Sequence, residues 1–176
     1  MPIAFSVASI ADAEDIARLH VTSWHEAYGG IIPADILANV DLQDRIERWR
    51  TYLGAAGHAT FLARGDGAAA GFIRAGRLAE PLADGADGHI YALYELNQSQ
   101  RLGIGRRLLG LAAADGIGRG GQAFSLGVLS PNLPAIAFYE AMGARFVKED
   151  VYIWDGHSLD ERIYIFENLG HLARFA

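Results

Sequence analysis

The sequence predicts an α/β chain in which helices pack on a mixed sheet. Three observations support this. Segments with strand-like apolar runs alternate with segments of helical spacing, in the order β-αα-β-β-β-α-β-α-β-β. Gly65-Asp66-Gly67 separates two short apolar runs and marks a hairpin. Gly103-Ile104-Gly105 joins the apolar run Ile90 to Leu96 directly to the helix-like run Arg106 to Ala114.

Ile3 to Val7 opens the chain as a short strand. Ser9 with Asp12 resembles a capping box, with Asp in place of the usual Glu. Ala13, Ala17, Val21, Trp24 and Tyr28 recur at helical spacing, beside a shorter stripe of Ile16 and Leu19 that breaks at Ser23. Residues Asp12 to Tyr28 therefore form a helix stopped by Gly29-Gly30. Leu42, Ile46, Trp49 and Leu53 define a second helix from Asp41 to Leu53. The hairpin strands run from Ala59 to Ala63 and from Ala69 to Ala75. Leu78 to Gly88, rich in Ala, Gly and Asp, is expected as an exposed loop. His89 to Leu96 is a longer strand, followed by a helix from Gly105 to Asp115. Phe124 to Leu129 is a strand. Leu133 to Met142 is a helix capped by Asn132 and stopped by Gly143. Phe146 to Glu149 and Ile163 to Phe166 close the chain as strands, and no internal repeat appears.

The chain has 176 residues, enough for one domain with a real core. A formal net charge of −6 argues against general nucleic-acid binding and weakly favours cationic or neutral small substrates. Without cysteine there is no disulfide, thiolate metal site or cysteine nucleophile. No metal is expected: His20 and His25 form no metal-ligand spacing with a nearby carboxylate, and both read as structural or solvated. The N-terminus lacks the basic start of a secretion signal, so a cytoplasmic location is the default. Gly120 to Tyr139 is uncharged, but its Gln, Ser, Asn and Pro residues disqualify it as a membrane span, and no membrane or nucleic-acid partner is expected.

A strand, a glycine turn and a helix N-terminus suit a phosphorylated ligand. Glycines let the backbone approach the phosphates, and the first free N–H groups of the helix point at the anion. Arg101, Arg106 and Arg107 add positive charge beside Gly103 and Gly105. Read alone, the segment is more often a tight strand-to-helix turn with solvated arginines. A dinucleotide-binding motif is excluded, because Leu108 stands where the third glycine belongs and the turn comes late in the chain.

A second segment gives the turn its meaning. Asn132, Ala135, Phe138-Tyr139 and Gly143-x-x-Phe146, downstream of Gln100-x-x-Gly103-x-Gly105, resemble the Gcn5-related N-acetyltransferase (GNAT) superfamily. Trp24-x-x-Ala27-Tyr28-x-Gly30-x-x-Pro33 is similar to a segment of many bacterial members. The resemblance implies a mostly antiparallel sheet of about six to seven strands flanked by about four helices, in a single domain over residues 1–176. It implies acetyl-CoA as cofactor, with CoA as product. Backbone N–H groups across Arg101, Leu102, Gly103, Ile104, Gly105 and Arg106, with Gln100, would hold its diphosphate. Leu93 and Glu95 would pair through their backbones with the pantetheine arm, as an added strand does. Asn132 would contact the arm, Phe138 would lie near the arm or the nucleotide end, and Tyr139 would give a proton to the departing thiolate.

Glu95 departs from the family pattern, where Val is common, and Asn97 replaces a common Pro. If only backbone contacts matter there, the carboxylate is harmless; if it points inward, it binds a substrate ammonium. For the base, which must free the amine lone pair, His89 is the candidate, since relatives often place Glu or His here. Period-two alternation puts His89 on one face with Tyr91, Leu93 and Glu95, and Tyr91 is assigned to the substrate. The alternative for His89 is an exposed strand-end histidine. Tyr139 without its motif would read as a core aromatic. Trp24 and Tyr28, one helical turn apart, either line the acceptor pocket or staple the first helix to the sheet.

The expected activity is transfer of an acetyl group to a primary amine of a small molecule or amino acid, by direct attack in a ternary complex. The alternatives are a protein or peptide amine as acceptor, and a binding module that senses acetyl-CoA without turnover. Tyr139 argues against the module, since binding alone does not need it. A homodimer is compatible with the resemblance.

Overall fold

The structure, a computed structural model, describes residues 2–154 and 156–176; Met1 and Asp155 lie outside them. Seven strands form one sheet: β1 (Ile3–Val7), β2 (His58–Gly65), β3 (Ala68–Gly76), β4 (Gly88–Glu95), β5 (Phe124–Leu129), β6 (Arg145–Trp154) and β7 (His157–Phe166). Their order across the sheet is β1-β2-β3-β4-β5-β7-β6. Every neighbouring pair is antiparallel except β4 with β5. The helices are α1 (Ala13–Tyr28), α2 (Ala34–Ala38), α3 (Leu42–Gly54), α4 (Ile104–Gly118), α5 (Leu133–Ala141) and α6 (Leu169–Ala173).

The two faces of the sheet carry separate cores. On one face α4 buries Leu108, Leu109 and Ala112 against Ile73, Ile90 and Leu126, and α5 adds Ile136 and Tyr139. On the other, α1 and α3 bury Ile16, Leu19 and Trp49 against Leu62 and Phe72. Each such fully buried large side chain contributes about 1.5–3 kcal/mol. The Ser9–Asp12 capping box forms, with the Ser9 N–H donating to Asp12 Oδ2 at 2.8 Å.

Three expectations are corrected. The segment Leu78 to Gly88 is not simply exposed: Ala83 and Ala86 are buried against Ile163 and Ile165. The last two strands form a long hairpin, because Val151, Tyr152 and Ile153 pair by backbone while remaining exposed, so no buried-strand pattern marks them. Two short helices were not expected. In α2 only Ile36 and Leu37 are buried; α6 is capped by Asn168 and anchored by Leu169 and Leu172.

Two irregularities shape the centre of the sheet. Strands β4 and β5 pair only from Gly88 to Ile90 and from Phe124 to Leu126, although both continue beyond. They splay into a wedge with unpaired backbone edges. The register of β3 against β4 also shifts between Arg74 and Ala75, leaving Tyr91 as a bulge between Ile90 and Ala92. A bulge inserts one residue into the alternation. Leu93 therefore packs with Ile90 on the α4 face, while Ala92 and Tyr94 pack with the α1–α3 core.

Candidate active site

The wedge opens into two cavities that share Tyr28, Ile90, Tyr91, Ala92, Tyr94 and Gly127 in their walls. One, of about 630 Å³, runs along β4 to the N-terminus of α4. The other, of about 880 Å³, lies over the α1–α3 face of the sheet. Together they form a two-armed groove with its waist at the splayed strands.

The first arm is built mostly from backbone. Arg101 and Gly103 have φ of 64° and 80°, left-handed values that are uncommon for a non-glycine residue. They curl the chain into the pattern of an anion nest. The helical ladder of α4 begins with the Arg107 N–H donating to the Gly103 carbonyl at 3.1 Å, so the amides of Ile104, Gly105 and Arg106 precede it. Gly105 is buried, and a Cβ there would stand 3.2 Å from Phe138 Cζ. Gln100, Arg101, Gly103, Ile104, Gly105 and Arg106 all line this arm. Leu102 is not in the wall; its side chain is 54% exposed. The Gln100 Nε2 donates to Asn97 Oδ1 at 3.0 Å.

Leu93, Glu95, Asn132, Phe138 and Tyr139 line the same arm. Asn132 Oδ1 accepts the Ala135 N–H at 3.3 Å and caps α5, which leaves its amide NH₂ for a ligand. Tyr139 is buried, and burial, with the nearby Tyr94 phenol, pushes its pKa well up. It stays protonated across neutral pH and so carries a proton to donate. Glu95 points toward α4: its Oε1 lies beside Gly105, its Oε2 is buried without a partner, and burial raises its pKa.

The second arm is built from side chains. Trp24, Tyr28 and Tyr91 line it. Trp24 packs on Trp154 with centroids 4.1 Å apart, and Tyr28 shares a 2.9 Å hydrogen bond with the Tyr94 hydroxyl. Burial raises the Tyr28 pKa to about 12. These contacts tie α1 to the sheet, and the same side chains line the cavity. His20 is buried and accepts the Trp49 Nε1–H at 3.1 Å; burial lowers its pKa to about 3. His25 is exposed.

His89 is buried in this arm, not exposed at a strand end. The expectation that it shares a face with Leu93 and Glu95 is corrected. The bulge at Tyr91 resets the alternation, so His89 faces the α1–α3 side and Leu93 and Glu95 face α4. Ser125 Oγ donates to the Gly88 carbonyl at 3.3 Å and therefore accepts from His89 Nδ1 at 2.9 Å. That leaves Nε2 bare. Burial lowers the His89 pKa to about 4, so the ring is neutral at physiological pH.

Three charged residues of this arm are not among the candidates read from the sequence. Arg45 and Arg74 line the wall without a carboxylate partner among the described residues. Glu161 on β7 reaches Gly127, where any Cβ would collide with its carboxylate. Its pKa is raised by burial first and by Asp150 second. A glycine within β5 was the available hint, since such a residue marks a close approach. No cluster of metal-ligating side chains occurs among the described residues, and none of the described helices is long and apolar enough to cross a membrane.

The nest, the free helix amides and the splayed strand together fit a ligand with an extended arm and a diphosphate. The family model described as "Acetyltransferase (GNAT) family" matches residues 16–144. The chain belongs to that family and is an acetyl-CoA-dependent transferase. It is 33% identical over 155 residues to the uncharacterized N-acetyltransferase YuaI of Bacillus subtilis (strain 168), covering 88% of this chain and 87% of that protein.

Solved structures share the fold at lower identity. PaiA N-acetyltransferase from Thermoplasma acidophilum, in complex with coenzyme A, matches with a TM-score of 0.73 and 21% identity, over 92% of this chain and 98% of that one. NAA60 of Arabidopsis thaliana, in complex with a bisubstrate analogue, matches with a TM-score of 0.69 and 19% identity, over 94% and 97%.

Proposed function

We propose that the protein transfers the acetyl group of acetyl-CoA to the primary amine of a small molecule, by direct attack in a ternary complex. The observation that carries this reading is the shared waist: a buried proton donor, Tyr139, lines one arm beside it, and unpaired proton acceptors line the other. When bound, acetyl-CoA supplies the activated thioester.

The chain's residues divide the remaining work. Amides from Arg101 to Arg106 and the arginine side chains receive the diphosphate. The free edge of β4 at Leu93 and Glu95, with the Asn132 amide, receives the arm, and Phe138 walls it. Tyr139 gives its proton to the departing sulfur. Trp24, Tyr28 and Tyr91 enclose the acceptor. Glu161 takes the amine proton, because its carboxylate lies against Gly127, which belongs to both arms. His89 Nε2 is the competing acceptor in the same arm, its ring held through Nδ1 by Ser125. An acceptor arm of about 880 Å³ supports a small molecule over a folded protein surface.

Release of free thiol from acetyl-CoA, followed over a panel of amines, tests the reading. Amine-dependent release is expected. If acetyl-CoA binds and no amine accelerates thiol release, the protein is a binding module instead.

A further inference from the structure

We propose that the acceptor amine also carries a carboxylate, and that Arg74 is the group that binds it. The inference rests on the acetyl-transfer reading and names the substrate class of that site. Arg74 sits on β3, only 6% exposed, with its guanidinium carbon 4.9 Å from the Tyr52 ring centroid and 5.0 Å from that of Tyr91. Its Nε is buried without a hydrogen-bond partner. Among the described residues no carboxylate lies within ion-pair distance of it.

A guanidinium cannot shed its charge by deprotonation inside a protein. Buried charges are otherwise paired, and leaving one unpaired is costly. The two tyrosine faces offset part of that cost, but rings supply no acceptors for the guanidinium N–H fork. A carboxylate matches that fork in a planar, two-bond geometry. Arg74 lines the second arm, with its guanidinium over Tyr91 and its backbone paired opposite Ala92, both of which belong to the wall shared by the two arms, so an anion held here lies next to the waist.

The other charges of the arm agree. Arg45 lies over the Trp24 ring at 4.6 Å and likewise makes no ion pair among the described residues. The nearby acids are committed: Asp41 Oδ1 accepts the Asp44 N–H at 2.7 Å, and Asp44 pairs with Arg48 at 2.8 Å. Among the described residues Glu161 makes no ion pair. Among those residues the arm thus presents two guanidinium groups and one carboxylate outside any ion pair, the complement of an amino carboxylate. The aromatic wall of Trp24, Trp49 and Trp154 leaves room for an apolar side chain on it.

The test compares matched acceptors: L-phenylalanine, its amide and phenethylamine, with the same three forms of several other amino acids, each assayed by thiol release. The carboxylate form is expected to lead in kcat/KM, and Arg74→Gln should cut that lead by about 10- to 100-fold. Arg74→Lys keeps the charge without the fork and should restore part of the lead. Calorimetric affinity for CoA checks the fold of both variants. Equal use of all three forms by the native chain, or an equal loss on all three in Arg74→Gln, overturns the inference while acetyl transfer stands. If no amine is turned over, acetyl transfer falls, and calorimetry with the amino carboxylates decides the site. Binding lost in Arg74→Gln supports it, whereas no binding to the native chain, or unchanged binding to the variant, overturns it.

Discussion

The two arms of the groove meet at one waist but recognise their ligands by different means. The arm at α4 works with peptide groups: a nest at Arg101 and Gly103, helix amides, and the free edge of β4. The arm over the α1–α3 face works with side chains drawn from α1, α3, β3, β4 and β7. Peptide groups are the same whatever the side chain, so the first arm suits a constant ligand. The second can change its preference by single substitutions and leave the sheet intact. Substitutions in the first arm should therefore act on cofactor affinity for every acceptor, and those in the second should act on the choice of acceptor.

Gly105→Glu tests the first half of that statement with the largest effect. Gly105 has no space for a side chain beside Phe138, and a carboxylate there would face the diphosphate. Affinity for CoA should fall by about 10³-fold or more, equivalent to roughly 4 kcal/mol. Calorimetry reads it directly, and retained binding would refute the assignment of the turn.

Tyr139→Phe acts at the waist. The ring stays, so the packing beside Ile136 survives and CoA affinity should change little. Loss of the proton donor should lower kcat by about 10²-fold or more. Unchanged turnover would remove the hydroxyl from the chemistry.

Glu161 and His89 compete for one role, and pH separates them. A carboxylate base must be ionised, so activity should fall as pH drops through the Glu161 pKa, which lies above the ordinary carboxylate value. His89, with a pKa of about 4, is already neutral throughout that range and contributes no limb near neutrality. Glu161→Gln should cost about 10²-fold in kcat/KM at neutral pH and recover as pH rises and free amine accumulates. His89→Gln should cost about tenfold or less, with the profile kept. The reverse ranking would return the base to His89.

The same contrast explains what could be read from the sequence. Backbone recognition needs glycines and caps at fixed spacing along one stretch, so Gly103, Gly105, Asn132 and Tyr139 stand out in linear order. Arg74 looks like an isolated cation in an apolar strand, and nothing near it in sequence says that Tyr52 and Tyr91 enclose it. Glu161 lies in a hairpin longer than its apolar pattern suggests. His89 was legible as a candidate, but its face was not. The bulge at Tyr91 is set by pairing with β3, and a single inserted residue reverses every later side chain.

The smallest effect sharpens the comparison from the other side, because one side chain does intrude on the backbone-built arm. The Glu95 carboxylate lies beside Gly105, whose amide a diphosphate would use, and it brings negative charge to the positive end of α4. Glu95→Val removes the like charge, so CoA should bind about fivefold more tightly, near 1 kcal/mol. The native carboxylate has a raised pKa, and a bound diphosphate would raise it further. Binding then takes up a proton, and affinity should strengthen as pH falls toward that pKa. The valine variant lacks this contribution, so the difference between the two affinities should shrink as the solution is acidified. Phosphate titration in CoA is common to both proteins and cancels from the difference. A gap independent of pH would mean that the side chain acts by shape and not by charge.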